Sequence, residues 1–172
     1  MLSRYLLYAA MSMAVNIIAY VSSPLLSAYS VWRGIDVLPY PLSLLHTHDN
    51  TLDGGQRQGY EVGVTGWKLW WQRTCWICRN PGYGFDAYIL GFDHVGYMVL
   101  SESGDIPDFS KPNALYANRM QSADGKRYFT YRRNVPLYGK RYLKVWVGWN
   151  YMAYGGVKHQ IKTHFFSLKK AE

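Results

Sequence analysis

The stretch "YLLYAAMSMAVNIIAYVSSPLLSAYSVW", residues 5 to 32, runs for 28 residues between Arg4 and Arg33 without a formal charge. A helix that crosses a bilayer needs about 20 mostly apolar residues, and residues 3 to 21 reach that length before "SSP". Proline cannot continue a helix but suits a first turn. The sequence therefore predicts a spanning or deeply embedded helix that stops at Ser22 and Ser23, then a short second helix along the surface. Two other readings share this pattern: a signal peptide ending at "LLSA", and the core helix of a soluble protein, which Asn16 and the serines would tolerate. The membrane segment is the leading expectation.

Outward from this segment, 172 residues suffice for one domain with a proper core and are few for two. The expected organisation is a hydrophobic anchor over residues 1–33 and a single α+β domain over 34–172. The net charge of +8 is uneven. Residues 1–33 carry +2, residues 34–108 carry −5 and residues 109–172 carry +11. An anionic partner would thus meet the C-terminal third, and lipid headgroups or nucleic acid are the two candidates. Basic loops stay inside, and the two ends of the segment are nearly balanced, so orientation rests on the basic third, which favours the cytoplasmic leaflet.

Seven Trp and sixteen Tyr call for a core or an interface where a ring is half wet. Trp67, Trp70, Trp71, Thr74, Cys75 and Cys78 recur at spacings of three and four, which predicts an amphipathic helix. Beside a membrane segment, Trp67, Trp70 and Trp71 are candidates for the bilayer interface, with burial in the core as the alternative. Cys75 and Cys78 form a CxxC, but thioredoxin-like strand and zinc-type partner pairs are absent from the sequence around it. No cofactor is implied.

Before this helix "GYEVGVTG" (59–66) alternates like a short strand, and Asn80-Pro81-Gly82 ends the helix. "YGFDAYILGFDHVGYMVLSESG" reads as two strands, and "DIPDFSKPN" as a loop. From Tyr128 to Leu168 the pattern is an antiparallel meander of "RYFTYRRNVP", "KRYLKVWVGWNYMA" and "HQIKTHFFSL". In its middle strand Leu143, Val145, Val147, Trp149 and Tyr151 share one face. Tyr142, Lys144, Trp146 and Asn150 share the other, expected to point outward. Arg132, Arg133, Lys140, Arg141 and Lys144 make this a candidate basic surface. Interleaved Arg and Tyr also fit base stacking, although no RNA-binding or helix-turn-helix motif accompanies them.

"LLHTHDNTLDGG", residues 44 to 55, is the densest polar stretch. His46 and His48, with Asp49 or Asp53, could ligate a metal. "DNTLDG" echoes a calcium loop, but Tyr60 stands where the twelfth-position acid belongs. Asp49 and Asp53 could serve as a hydrolytic carboxylate pair. An enzyme reading requires His46, Asp49, Asn50 and Asp53 to converge with Arg79 or His94. The structural reading is a turn, since Asp and Asn bond their own backbone.

"THDNTLDG" (47–54), "WICRNPGYGF" (76–85) and "VWVGWNYM" (145–152) resemble, in the same order, a family of small uncharacterised proteins of tailed phages and prophages. Its members begin with an apolar segment and carry TxDNxLDG, RNPxYGF and a late Gly-Trp. The matching positions are Thr47, Asp49, Asn50, Leu52, Asp53 and Gly54, then Arg79, Asn80, Pro81, Tyr83, Gly84 and Phe85, then Gly148 and Trp149. His48 stands where the family has Pro, which speaks against a histidine metal site. The resemblance brings a phage context and no established activity; together with the apolar segment and the basic third it leads to the favoured expectation of a phage-encoded, non-enzymatic protein at the host inner membrane, its main domain cytoplasmic, acting on the envelope or on a host or phage protein. The further expectation is that "DNTLDG" and "RNPGYGF" form a structural junction, with Arg79 pairing with Asp49 or Asp53.

Overall fold

The computed structural model describes residues 1–104, 113–152 and 158–170, with Arg57, Gln58 and Lys170 described by their backbone alone. Most of the loop read at "DIPDFSKPN" lies outside the described residues. The architecture is α+β: a long apolar N-terminal helix, two shorter helices and an antiparallel sheet. Two compact units divide the chain, one of Met1–Ala9 with Gly91–Glu172, the other Ala10–Leu90. These boundaries differ from the division at residue 33 drawn from hydropathy, because the apolar helix contributes to both units.

That helix, α1 (Leu2–Arg33), passes through Pro24 without a break. Proline removes the N–H that would bond the Tyr20 carbonyl. The Ser23 hydroxyl supplies the missing donor, 2.9 Å from that carbonyl. Ser22 and Ser23, read as a stop, thus carry the helix past the proline. The expected second helix is the continuation of the first.

In the unit of residues 10–90, α1 is followed by 3-10 turns at Leu42–Leu45 and Gly54–Gln58, then α2 (Gly66–Arg79) and α3 (Tyr83–Tyr88). Leu26, Leu38, Leu52 and Ile77 form the core, with Tyr29, Leu42 and Leu45 packed against them. Each such aliphatic side chain stabilises the fold by about 1.5–3 kcal/mol on burial. Residues 59–66 form no strand, for Gly59, Gly63 and Gly66 all sit at positive φ and break extended pairing. "YGFDAY" is helical instead of extended. Gly82, at φ +64°, turns the chain into α3. A Cβ on Gly84 would stand 2.6 Å from the Ser43 carbonyl oxygen, so this helix packs as only glycine allows.

In the other unit, five strands pair antiparallel in the order β2 (Met98–Gly104), β3 (Leu115–Gln121), β4 (Arg127–Pro136), β5 (Arg141–Trp149) and β7 (Ile161–Lys170). A separate two-stranded ladder joins β1 (Phe92–Asp93) to β6 (Lys158–His159). The three strands of the predicted meander are β4, β5 and β7. Trp149 anchors this unit, fully buried among Tyr5, Tyr8, Tyr128 and Phe129. Gly148 beside it has φ +96°, and a Cβ there would lie 2.1 Å from the Phe129 carbonyl oxygen.

The faces of β5 differ from the expectation. Tyr142 and Trp146 are buried and Lys144 is half-buried, while Leu143, Val145 and Val147 are only half-buried. A register irregularity between Lys144 and Trp146 bends the strand. Over residues 142–146 the face read as outward is thus the more enclosed one, whereas Trp149, read as inward, is fully buried.

Candidate functional site

Three features carry the sequence-predicted residues: the faces of α1, the polar junction of the two motifs, and the basic sheet. Apart from buried Tyr5 and Leu26, helix α1 is apolar outside and small or polar inside. Ile17, Val21 and Leu25 are 63%, 77% and 74% exposed, and Leu2, Leu6, Leu7, Met13 and Ile18 are exposed as well. Ala9, Ser12, Ala19, Ser23, Ser27 and Ser30 are buried. A soluble protein's surface helix shows the opposite arrangement. The helix is long and apolar enough to cross a membrane.

At the junction, Asp53 pairs with Arg73 and not with Arg79. Arg73 Nε and Nη2 donate to the two Asp53 carboxylate oxygens at 2.8 and 2.7 Å. Its Nη1 donates to Ser30 Oγ at 3.1 Å and to the Ile35 carbonyl at 2.7 Å. One buried guanidinium thereby ties α2, the end of α1 and "DNTLDG" together. Arg79 itself is exposed.

The rest of the first motif is turn chemistry. Asp49 accepts from Thr47 Oγ1. Asn50 Oδ1 accepts from the Thr51 amide at 2.9 Å, and Thr51 Oγ1 accepts from the Asp53 amide at 3.2 Å. Trp76 Nε1 donates to the Thr51 carbonyl at 3.0 Å, and Leu52 inserts into the core. The second motif attaches just upstream. Gly82 and Gly84 donate backbone N–H groups to the carbonyls of Leu45 and His46 at 3.0 and 2.7 Å. Asn80 N–H closes α2 on Ile77 and Trp76, and buried Pro81 and half-buried Tyr83 lead into α3. "DNTLDG" and "RNPGYGF" thus both dock onto one small core, through different contacts from the predicted ion pair.

The metal and hydrolytic readings meet the same geometry. Among the described residues no group of three His, Cys, Asp or Glu stands where it could hold a metal. His46 is buried, neither ring nitrogen has a hydrogen-bond partner, and burial lowers its pKa. The His48 ring meets Tyr88 edge-on at 5.8 Å. A hollow of about 240 Å³ borders Asp53 and Glu61, but Asp53 is held by Arg73 and Glu61 by Lys68 at 2.6 Å. His94 lies in the other unit, with its Nδ1 3.3 Å from His159 Nε2.

On α2, Trp67 and Trp71 are exposed, whereas Trp70 stacks on Trp67 at 4.4 Å and donates Nε1–H to the Pro24 carbonyl at 2.8 Å. Trp70 therefore braces the proline turn of α1, and only its neighbours face outward. Cys75 and Cys78 are free thiols inside α2, with Cys78 Sγ 3.1 Å from Ser23 Oγ.

With fold and junction described, comparison with known families gives one match, a family of unknown function whose model spans residues 1–171. The chain belongs to the DUF7338 family. No curated protein and no solved structure matches it.

In this DUF7338 chain the basic residues separate into two groups. Arg133, Lys140 and Arg141 are exposed. Arg132 and Lys144 instead turn toward Trp146, their cationic groups 4.7 and 5.1 Å from its ring centroid. Sequence reading missed Arg73, Lys162, His164 and the stacked His159. For Lys162 and His164 the signal was available, since they recur at period two on β7 opposite Gly148 and Trp146. Arg73 had none, because nothing in its helical spacing points to Asp53, twenty residues away.

Proposed function

We propose that this protein is a non-enzymatic, phage-encoded anchor protein of the host inner membrane, inserted by the apolar face of α1, with the sheet-bearing unit on the cytoplasmic side. The observation that carries the reading is the inverted polarity of α1. A helix that exposes Ile17, Val21 and Leu25 while burying Ala19, Ser23 and Ser27 matches a lipid environment, where small residues pack against protein and aliphatic ones face hydrocarbon. The core helix of a soluble protein buries its aliphatic side chains. Packing along the inner face of the helix favours insertion by one face over a lipid-surrounded span. Exposed Trp32, Trp67 and Trp71 supply rings of the kind that settle at headgroup level.

The motif resemblance to tailed-phage proteins supports reading the membrane as the host's. The basic third of the chain supports the cytoplasmic, anionic leaflet. There the sheet unit would modify the envelope or engage a host protein. Fractionation of the tagged protein in host cells tests this, combined with protease added from either side. The protein should stay with inner membranes through a high-salt wash and be cleaved only from the cytoplasmic side. Recovery as a soluble, monodisperse protein overturns the anchor, and cleavage from the periplasmic side overturns one-face insertion.

A further inference from the structure

We propose that the hollow between the first turn of α1 and strands β2, β3 and β4 is a binding site for a phosphate group, clamped by Arg4, Arg119 and Arg127. This inference does not rest on the membrane reading. The hollow measures about 540 Å³, and the three arginines line it together with Leu100, Ser101 and Tyr128. All six residues belong to one compact unit. The register brings the strand arginines together, because Arg127 pairs with Gln121 while Arg119, two residues from Gln121 on β3, pairs with Phe129 and stands opposite Ser101. Residues two apart on a strand share a face, so Arg119 and Arg127 are diagonal neighbours across the β3–β4 pair. Arg4 enters from α1 and is held in place by the sheet. Its Nη2 donates to the Arg127 carbonyl, and its Cζ lies 4.4 Å from the Tyr128 ring centroid and 5.7 Å from that of Trp149. Its Nε is buried and has no hydrogen-bond partner.

Three guanidinium groups around one hollow repel one another unless a negative group lies between them. The acids nearest in sequence are engaged elsewhere: Asp124 accepts from Lys126 Nζ at 2.6 Å, and Glu102 accepts from the Tyr116 hydroxyl at 2.8 Å. Among the described residues no carboxylate lies within ion-pair distance of Arg4, Arg119 or Arg127. Arg119 and Arg127 are exposed and can close on a ligand, whereas half-buried Arg4 is already positioned. A carboxylate has two oxygens, which a single guanidinium fork occupies. A phosphate offers more oxygens and more charge, and accepts from several forks at once. The hollow also has room for the group that carries the phosphate. Exposed Met98 and Val99 continue from Leu100 along β2, an apolar border that suits the glycerol and first acyl carbons of a phospholipid.

The test is calorimetric titration of the full chain in neutral detergent micelles with inorganic phosphate or dihexanoyl phosphatidic acid at constant ionic strength. Saturable binding of at least one ligand is expected, and Arg119→Gln and Arg127→Gln should each weaken it about tenfold or more. Both side chains are exposed, so the two variants should melt with the parent. Lys140→Gln removes an exposed cation that does not line the hollow and should bind as the parent does. Tighter binding of phosphatidic acid identifies a lipid headgroup as the source of the phosphate, and equal or tighter binding of inorganic phosphate identifies the free ion. Absence of saturable binding of both ligands, unchanged affinity in the two arginine variants, or an equal loss in Lys140→Gln overturns the site.

Discussion

Arg73 holds three segments with one guanidinium, and the cost of removing it is the clearest prediction at the residue scale. Arg73→Ala leaves Asp53 and the Ile35 carbonyl without their donor. Breaking such a pair costs about 3–5 kcal/mol when both partners are buried, but the Asp53 side chain is 42% exposed. The expected loss is about 2–4 kcal/mol by chemical denaturation, whereas Arg79→Ala changes stability by less than about 0.5 kcal/mol. Equal losses for the two variants would contradict the assignment. Acid sensitivity belongs at this scale as well. His46, His159 and His164 all have folded-state pKa values lowered by burial. The unfolded chain then binds more protons than the folded one below about pH 6.5. Stability is complete above that value and falls as the pH drops toward the folded pKa values. His164→Gln should flatten the decline between about pH 6 and 4, measured as the pH dependence of the melting temperature.

Among the elements, α1, α3 and β5 show where the sequence was legible and where it was not. The uncharged run identified α1, and the indole spacing placed α2 at its residues to within one position. The continuation of α1 through Pro24 was hidden, because it depends on Ser23 reaching the Tyr20 carbonyl, a contact that composition does not reveal. Ser23→Ala should lower stability by about 1–2 kcal/mol, the cost of a carbonyl left without its donor, read from thermal melts. The aromatic residues of α3 favour a strand and predict one over "YGFDAY". The close packing of this helix on the turn before His46 decides otherwise. Gly84→Ala pushes a methyl group against Ser43 and Leu44 backbone and should cost about 1–3 kcal/mol. A melting temperature equal to that of the parent would show that the turn yields freely. In β5 hydropathy places Trp149 inside, where it is, but also assigns the inside to Leu143, Val145 and Val147, which are only half-buried. Lys144 and Trp146 occupy the enclosed face, with the cations arranged around a ring.

For the whole molecule, the polar stretch at residues 44–55 and the motif at 76–85 both dock onto the core of the unit of residues 10–90, and the distinguishing property is the outward face of α1. Double substitution Ile17→Asp with Val21→Asp alters side chains that touch little protein. It should release the chain from membranes while shifting folded stability in detergent micelles by less than about 1 kcal/mol. A soluble core helix would respond in the reverse way, with a large stability loss and no change in partitioning. The most direct measurement of the central claim is a spin-label accessibility scan in lipid vesicles, with Cys75 and Cys78 replaced by Ser and labels placed singly at Ile17, Val21 and Leu25. The predicted result is high collision with oxygen and low collision with a water-soluble nickel chelate at all three positions. Ready access of the chelate to them would contradict the account.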